Sequence, residues 1–472
     1  MDNNAHPILE DAKKQYDKEQ DELLKTVLDM RFFQQWKLHT KYTDNRCLQN
    51  NSKLELYITN TCNQKCSYCY LTKYPELYPS ECNNPETILH NLKILYNYIT
   101  MNRFYIPAID FFSGEIWHTQ LGYDILDLTY KYITEYHMDI GKLSIPTNAY
   151  FITKEETFHK MQNYLNNYNA IGVPLDLSLS VDGKYVDNTM RERNNDTQYT
   201  DEFYDRLFTF AKVNNSGFHP MISAQDIDLW EDNFKWWVDM CNKYNINLID
   251  RVMFLEVRND DWTTEKIDKF CDLIKQMAEY YLKTECHDDV TKFANALIGI
   301  IDNQTPLAGY YPWLLTKNNT TLGCTSSTHM CVRLGDLAIC PCHRQAYNKY
   351  LFGKFVVEDD AIVDIKAVNP YMAIKMLMGN IHYCINKCDT CPIKHYCLKG
   401  CYGSQLETLK DPFFPIESVC NLFKAKFTTL VEFYSQLGVY DYLTTIPMDN
   451  IRANIAASYL QTKIIMEDMD NE

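Results

Sequence analysis

The chain has 472 residues, 46% of them apolar, and a formal net charge of −16. That length accommodates two or three domains with sizeable cores, and the acidic balance excludes a nucleic-acid binder built on a basic face. No run approaches the roughly 18 apolar residues of a membrane-spanning helix, and the start MDNNAHPILEDAKKQYDKEQ lacks the basic-then-apolar pattern of a signal peptide, so the chain reads as cytoplasmic and not membrane-bound.

Residues 1–50 are charged and weakly helical, with LLKTVLDMRFFQQW as an amphipathic piece. KLELYIT alternates Leu54, Leu56 and Ile58 and leads directly into TNTCNQKCSYCY. NPETILHNLKILYNYI follows, with Asn84 as N-cap, Pro85 in the first turn, and Ile88, Leu92, Leu95 and Ile99 at helical spacing. Strand-like runs recur at AIDFF, KLSIPT, LDLSLSV, HPMIS and RVMFLEV. Helix-like runs lie between them at about 122–137, 153–166, 201–214, 228–244 and 264–283, with Thr153 to Glu156 (TKEE) in a capping-box pattern.

Six successive strand–helix units predict parallel pairing, because each return to the sheet needs a crossover. Six are too few for an eight-fold barrel, so the expectation is an open, partial (β/α)6 TIM-like barrel. In such folds ligands sit at the carboxyl ends of the strands, where the first cysteine loop falls. The alternation stops near residue 286. The expected organisation is an N-terminal helical extension (1–50), the barrel (51–285), a connecting segment (286–323), a small Cys-rich domain (324–425) and a helical tail (426–472).

Eighteen cysteines in a chain that reads as cytoplasmic suggest metal ligands before disulfides. Cys47, Cys82, Cys241, Cys271 and Cys286 are scattered and read as ordinary buried side chains; Cys384 stays unassigned. Cys62, Cys66 and Cys69 form C-x3-C-x2-C. Three thiolates can hold three irons of a cubane and leave the fourth open to a small molecule, which marks a metal doing chemistry. The plainer alternative is a structural zinc site with a fourth ligand from elsewhere.

This loop resembles that of the radical S-adenosylmethionine (SAM) superfamily, with the aromatic Tyr68 just before the third cysteine. The resemblance implies a 4Fe–4S cluster on Cys62, Cys66 and Cys69 whose open iron chelates SAM. One-electron cleavage of SAM to a 5′-deoxyadenosyl radical then precedes hydrogen abstraction from the substrate. Tyr68 would pack near the adenine. DFFSGE resembles the family's Gly-Gly-Glu, with Ser113 replacing the first glycine and Gly114 and Glu115 matching. A carboxylate there suits a cationic amino group. PTNAY resembles Thr-Asn-Gly, with Asn148 retained and Ala149 in place of glycine. LSLSVDG resembles Ser-x-Asp-Gly, where Ser180 would contact the ribose or carboxylate. Arg191 resembles the arginine that binds the SAM carboxylate, with Arg193 as a near neighbour. Each of these residues at a strand end also suits an ordinary turn or cap.

Cys388-x2-Cys391-x5-Cys397-x3-Cys401, Cys420, and upstream Cys324-x10-Gly335-x4-Cys340 make a seven-cysteine pattern. It resembles the SPASM domain, which implies two auxiliary 4Fe–4S clusters and three in all. The inner one would use Cys324, Cys340 and Cys401; the outer one Cys388, Cys391, Cys397 and Cys420. In ICPCHR, spacing selects Cys340 and context selects Cys342. Residues two apart on a strand share a face, so both would reach one cluster. Cys342 or Cys331 would close the inner cluster; otherwise it keeps an open iron. Zinc-ribbon-like binding is the alternative for this block.

The resemblance implies a peptide maturase: an enzyme that installs a crosslink or other C–H modification in a ribosomally made precursor peptide, fed by an electron donor such as flavodoxin or ferredoxin. One alternative is an anaerobic sulfatase-maturating, formylglycine-generating enzyme. That family has an aspartate after the glycine-spaced cysteine, where this chain has Pro341, with His343 after Cys342. The other alternative is a non-enzymatic iron–sulfur or zinc-binding protein. The first 50 residues look too short and helical for a winged-helix leader-binding domain.

Overall fold

A computed structural model describes residues 7–38, 53–112, 114–193, 199–285, 329–378, 388, 391 and 401–436. Ser113, Cys324 and Cys397, the scattered Cys47, Cys286 and Cys384, the connecting segment and the last part of the tail lie outside the described residues. So does the side chain of Arg193. The chain divides into two compact units. One comprises Met1–Asn63, Tyr70–Leu177 and Thr325–Asn380; the other comprises Gln64–Cys69, Ser178–Cys324 and Ile381–Glu472.

The first unit is built on a large sheet. Strand β1 (Lys53–Tyr57) pairs in parallel with β4 (Ile109–Phe112), and β4 with β6 (Leu143–Thr147). Beside β4 and β6, β3 (Tyr105–Ile106) and β5 (Asp139–Ile140) form a small parallel pair. The hydrophobic alternation of KLELYIT does not leave a wet face on β1. Leu54 and Leu56 are fully buried, and so are Glu55 and Tyr57 on the opposite face. Burial on both faces is what a central parallel strand shows.

The helix of NPETILHNLKILYNYI, here α1 (Pro85–Met101), starts as expected. The Asn84 side chain accepts from the Thr87 N–H at 3.0 Å, Pro85 occupies the first turn, and Ile88, Leu92, Leu95 and Ile99 are buried. The expected capping box at Thr153 is corrected by the structure. Helix α2 (Glu155–Ala170) has Lys154 at its N-cap with no side-chain bond. The Thr153 hydroxyl donates instead to the Tyr150 carbonyl at 2.8 Å, because Tyr150–Thr153 already forms a 3-10 turn that offers this acceptor.

The sheet extends on its other side with strands that the cysteine spacing did not announce. β12 (His329–Arg333) pairs in parallel with β1, placing Glu55 opposite Cys331. β13 (Ala338–Cys340), β14 (Gly353–Glu358) and β15 (Ala361–Ala367) continue as an antiparallel meander. Gly335, in the turn between β12 and β13, is pressed onto Cys82: a Cβ there would stand 2.4 Å from the Cys82 carbonyl oxygen. The N-terminal helix Pro7–Leu28 packs on β15, where Asp21 accepts from the Ala367 N–H at 2.6 Å.

In the second unit, the end of β7 (Leu175–Leu179) pairs in parallel with β9 (Gly217–Phe218), and β10 (Met221–Ile222) with β11 (Leu255–Glu256). Helix α3 (Trp230–Tyr244) buries Trp230, Phe234 and Trp237; Trp237 packs on Phe218 of β9, and all three pack on Phe254. Helices α4 (Thr264–Glu285) and α5 (Glu417–Gln436) pack on one another. Cys241 and Cys271 are buried within this unit and Cys82 within the first. Among the described residues no helix is long and apolar enough to cross a membrane.

Candidate active site

The cysteine loop groups with the second unit from Gln64 to Cys69. Its strand β2 (Gln64–Cys66) pairs antiparallel with β8 (Arg191–Arg193), setting Cys66 opposite Arg191, and the Ser67 N–H donates to the Met190 carbonyl at 2.8 Å. Tyr68 reaches inward: its hydroxyl donates to Asp182 Oδ2 at 2.5 Å and accepts from Arg191 at 2.6 Å. Arg191 further donates to Tyr199 and Gln64, both at 3.4 Å, and lies 3.6 Å from Asp182 and 3.8 Å from Asp187. Asp182 and Asp187 are both fully buried. Burial raises each carboxyl, Asp187 to about 7, where the Asp182 charge adds to the effect. Ser180 follows the end of β7, half-buried, and among the described residues its hydroxyl makes no hydrogen bond.

Cys66 is buried and Cys69 half-buried; burial pushes the Cys66 thiol up to about 12 against the opposing pull of Arg191. Cys62, half-buried, ends its run in the first unit next to Asn63. None of the described cysteines is in a disulfide. The described residues also contain no trio of His, Cys, Asp or Glu drawn together at single-ion distance.

In the first unit, Gly114 adopts φ +63°, and a Cβ there would stand 2.2 Å from the Thr61 carbonyl oxygen and 2.9 Å from that of Thr59. Glycine is therefore required by both conformation and space, and the Glu115 N–H completes the approach by donating to Thr61 at 2.9 Å. Gly114→Ala should destabilise the chain by about 2–5 kcal/mol, the sum of a left-handed penalty and a backbone clash. A urea midpoint unchanged from wild type would contradict this account.

Glu115 is buried and accepts from the Thr147 hydroxyl at 3.0 Å and the Asn148 N–H at 2.5 Å. Asn148 in turn donates to Asn63 Oδ1 at 2.8 Å, while Asn63 Nδ2 is buried with no partner among the described residues. An orphaned buried donor next to Cys62 fits a carboxylate or carbonyl of a small molecule. Ala149 takes φ +59°, the left-handed conformation that glycine would adopt more readily.

The C-terminal cysteines divide between the units. In the first, Cys331 and Cys340 are cross-strand partners on β12 and β13, both fully buried, and burial pushes the Cys331 thiol well above its ordinary range. The expectation that Cys340 and Cys342 share a strand is corrected: β13 ends at Cys340, and Cys342 opens the 3-10 turn His343–Gln345. Pro341 cannot donate a ladder hydrogen bond, which accounts for the break. His343 stacks flat on Phe112, ring centroids 4.1 Å apart, with Nδ1 3.1 Å from Glu55. His329 Nδ1 stands 3.6 Å from Glu55 and 3.8 Å from Asp110. Burial alone would raise the Glu55 carboxyl, but the two imidazoles hold it below the usual carboxylate range. In the second unit, the Cys391 N–H donates to the Cys388 carbonyl at 3.3 Å, Cys401 caps the helix Tyr402–Leu409, and Cys420 lies in α5.

Sequence reading missed Glu55, Asp187, His329 and Asn63, and gave Asp182 no role beyond its place in the Ser-x-Asp-Gly resemblance. A buried acid in the middle of KLELYIT was a usable signal, since a charged residue on a two-sided buried strand needs a partner.

No family model and no curated protein matches this chain. Solved structures do. His6-tagged anSMEcpe with bound AdoMet aligns with a TM-score of 0.55 at 14% identity, covering 86% of this chain and 98% of that one. Native anSMEcpe with bound AdoMet and Cp18Cys peptide aligns with a TM-score of 0.53, also at 14% identity, over 84% and 99%. The corresponding Kp18Cys peptide complex gives 0.52 over 83% and 98%. The likeness is one of fold.

Proposed function

We propose that this chain is a radical SAM enzyme that modifies side chains of a precursor peptide. One observation carries the reading: C-x3-C-x2-C follows the first strand of a fold shared over 86% of the chain with an AdoMet-bound structure. The buried Asn63 donor and the Gly114–Glu115 turn support it on chemical grounds, as does the uncommitted Ser180 hydroxyl.

In this reading Cys62, Cys66 and Cys69 hold the cluster. When bound, it supplies the electron that splits SAM into methionine and the 5′-deoxyadenosyl radical that takes hydrogen from the peptide. Glu115 presents its carboxylate to the SAM ammonium, Asn63 donates to a carboxylate or carbonyl, Ser180 donates to a ribose or carboxylate oxygen, and the Tyr68 ring flanks the adenine. Cys324, Cys340 and Cys401 hold an inner auxiliary cluster, and Cys388, Cys391, Cys397 and Cys420 an outer one. The cross-strand position of Cys331 beside Cys340 favours Cys331 over Cys342 as the residue that closes the inner site. A peptide substrate accords with the peptides held by anSMEcpe and with the −16 charge, which suits a basic partner. Electrons would come from a flavodoxin- or ferredoxin-like donor.

The sulfatase-maturating alternative shares the fold, but Pro341 stands where that chemistry would need an aspartate. The test is anaerobic reconstitution with iron, sulfide, SAM and reductant, followed by chromatography for 5′-deoxyadenosine. Its formation, with modification of a precursor peptide encoded beside the gene and none of a Cys-bearing sulfatase peptide, is the expected result. Formylglycine in the sulfatase peptide would transfer the assignment to the alternative. No 5′-deoxyadenosine from an iron-loaded chain would remove both.

A further inference from the structure

We propose that Arg191 is a positioning residue that braces the cysteine loop through Tyr68 and Asp182, and that it does not hold the SAM carboxylate. The inference rests on the loop being the cluster site, and it departs from the role that the resemblance suggested for this arginine.

Two observations carry it. The first is occupancy. Every nitrogen of the Arg191 guanidinium already has an acceptor: Nε faces Tyr199, one terminal nitrogen donates to Tyr68 and the other to Gln64. The side chain is 6% exposed. The second is charge. Asp182 and Asp187, both buried, stand within 4 Å of this one cation. His219 adds no second positive charge, since burial and the Arg191 field lower its imidazole to about 4. A third carboxyl group brought to this guanidinium would compete with the two already beside it and with the three hydrogen bonds it donates.

What the arginine does do is visible in the same contacts. Tyr68 is clamped from both sides of its hydroxyl, by Arg191 as donor and Asp182 as acceptor. Asp182 is itself fixed: Oδ1 accepts from the Met221 N–H at 2.8 Å, and its carbonyl accepts from Asn233 at 2.8 Å and Trp237 at 3.0 Å. Gln64 and Cys66 are tied to the same arginine through the side-chain bond and the β2–β8 ladder. The path runs from the loop to the start of β10 and the face of α3. A residue pinned this way sets where Cys66 and Cys69 point, which is a question of geometry and not of ligand affinity.

The test uses Tyr68→Phe, which keeps the ring and removes both hydroxyl bonds, with Arg191→Lys and Arg191→Met beside it. In the full, iron-free chain, amide hydrogen exchange across residues 64–69 should rise about tenfold in Tyr68→Phe, with the first unit's β1 and β4 unchanged. In the reconstituted enzyme, kcat for 5′-deoxyadenosine should fall at least about tenfold in Tyr68→Phe and Arg191→Met, with KM for SAM within about threefold of wild type. Arg191→Lys should recover part of the loss. Decarboxylated SAM supplies the control. The ratio of its affinities for wild type and Arg191→Met should match the ratio for SAM. Wild-type exchange and turnover in Tyr68→Phe would overturn the brace. A SAM-specific KM rise in Arg191→Met that vanishes with the decarboxylated compound would restore the carboxylate role and also overturn it. Should the wild-type chain take up no iron at the loop, the cluster reading fails, while the exchange measurement still judges the brace.

Discussion

On the proposed reading of three clusters, replacing Cys62, Cys66 and Cys69 together by alanine should leave a folded chain that binds about four fewer irons, about eight against the wild type's expected content of about a dozen, and forms no 5′-deoxyadenosine. The fold should survive because the bonds that shape the loop are mostly independent of cysteine sulfur; the Cys66 thiol adds one long contact, to Gln64 Oε1 at 3.6 Å. β2 pairs with β8 through backbone bonds, Ser67 bonds Met190 through its own N–H, and Tyr68 is anchored by its hydroxyl. Cys62 and Cys69 are half-buried, so only Cys66 gives up a fully packed thiol. The chemical loss should be total, since a SAM-splitting site has no second source of electrons at the nucleoside. Iron analysis and chromatography on the same sample read both quantities. Surviving 5′-deoxyadenosine would mean that another part of the chain carries the reaction. Loss of all the iron would mean that the C-terminal block does not load independently.

The parts of this picture that were legible in sequence are those fixed locally. Asn84-Pro85 announces a helix because capping and the proline ring act within a few residues. The loop spacing and the Gly114–Glu115 pair were legible as motifs, but the physical requirement for Gly114 was not. It comes from the carbonyls of Thr59 and Thr61, some fifty residues away in the chain. Pairings across long separations were likewise invisible: Asn63 with Asn148, Tyr68 with Asp182, and Glu55 with His329 and His343. The strands at 329–367 were obscured because the first two are short and lie among closely spaced cysteines, and β12 pairs with β1 across nearly three hundred residues. Val363, Ile365 and Ala367 alternate there with Asp364 and Lys366, and the pair Asp359-Asp360 marks a turn. Thr153 shows the opposite failure. A local signature was present, but the preceding turn offered its hydroxyl a nearer acceptor.

Asp226→Asn should make the chain more stable at neutral pH, and the gain should vanish in acid. Asp226 sits just beyond β10, 7% exposed. One carboxyl oxygen accepts from the Trp230 indole at 3.2 Å, and the other is buried with no partner. Burial, reinforced by the Asp182 charge, pushes this carboxyl up to about 8 from an ordinary 3.8. Between those two values the folded chain holds a proton that the unfolded chain has released. Stability therefore falls as pH rises through that window, opposite to the behaviour of a salt-bridged aspartate. By pH 7 the interval spans about three units, which sets an upper bound of about 4 kcal/mol. Asparagine keeps the shape and the neutral charge without needing the proton. Urea unfolding of the iron-free chain at pH 4.5 and 7.5, taken here as about the two ends of the window, measures the difference. The variant should gain about 2–4 kcal/mol over wild type at the higher pH and less than about 1 kcal/mol at the lower. A gain independent of pH would locate the effect in packing. A loss at neutral pH would mean that Asp226 is ionised in the folded chain and stabilised by a cation. The expected sign also has a physical corollary. An acid left half-satisfied at the carboxyl end of a strand is destabilising where it stands, and such residues concentrate where sheets bind their ligands.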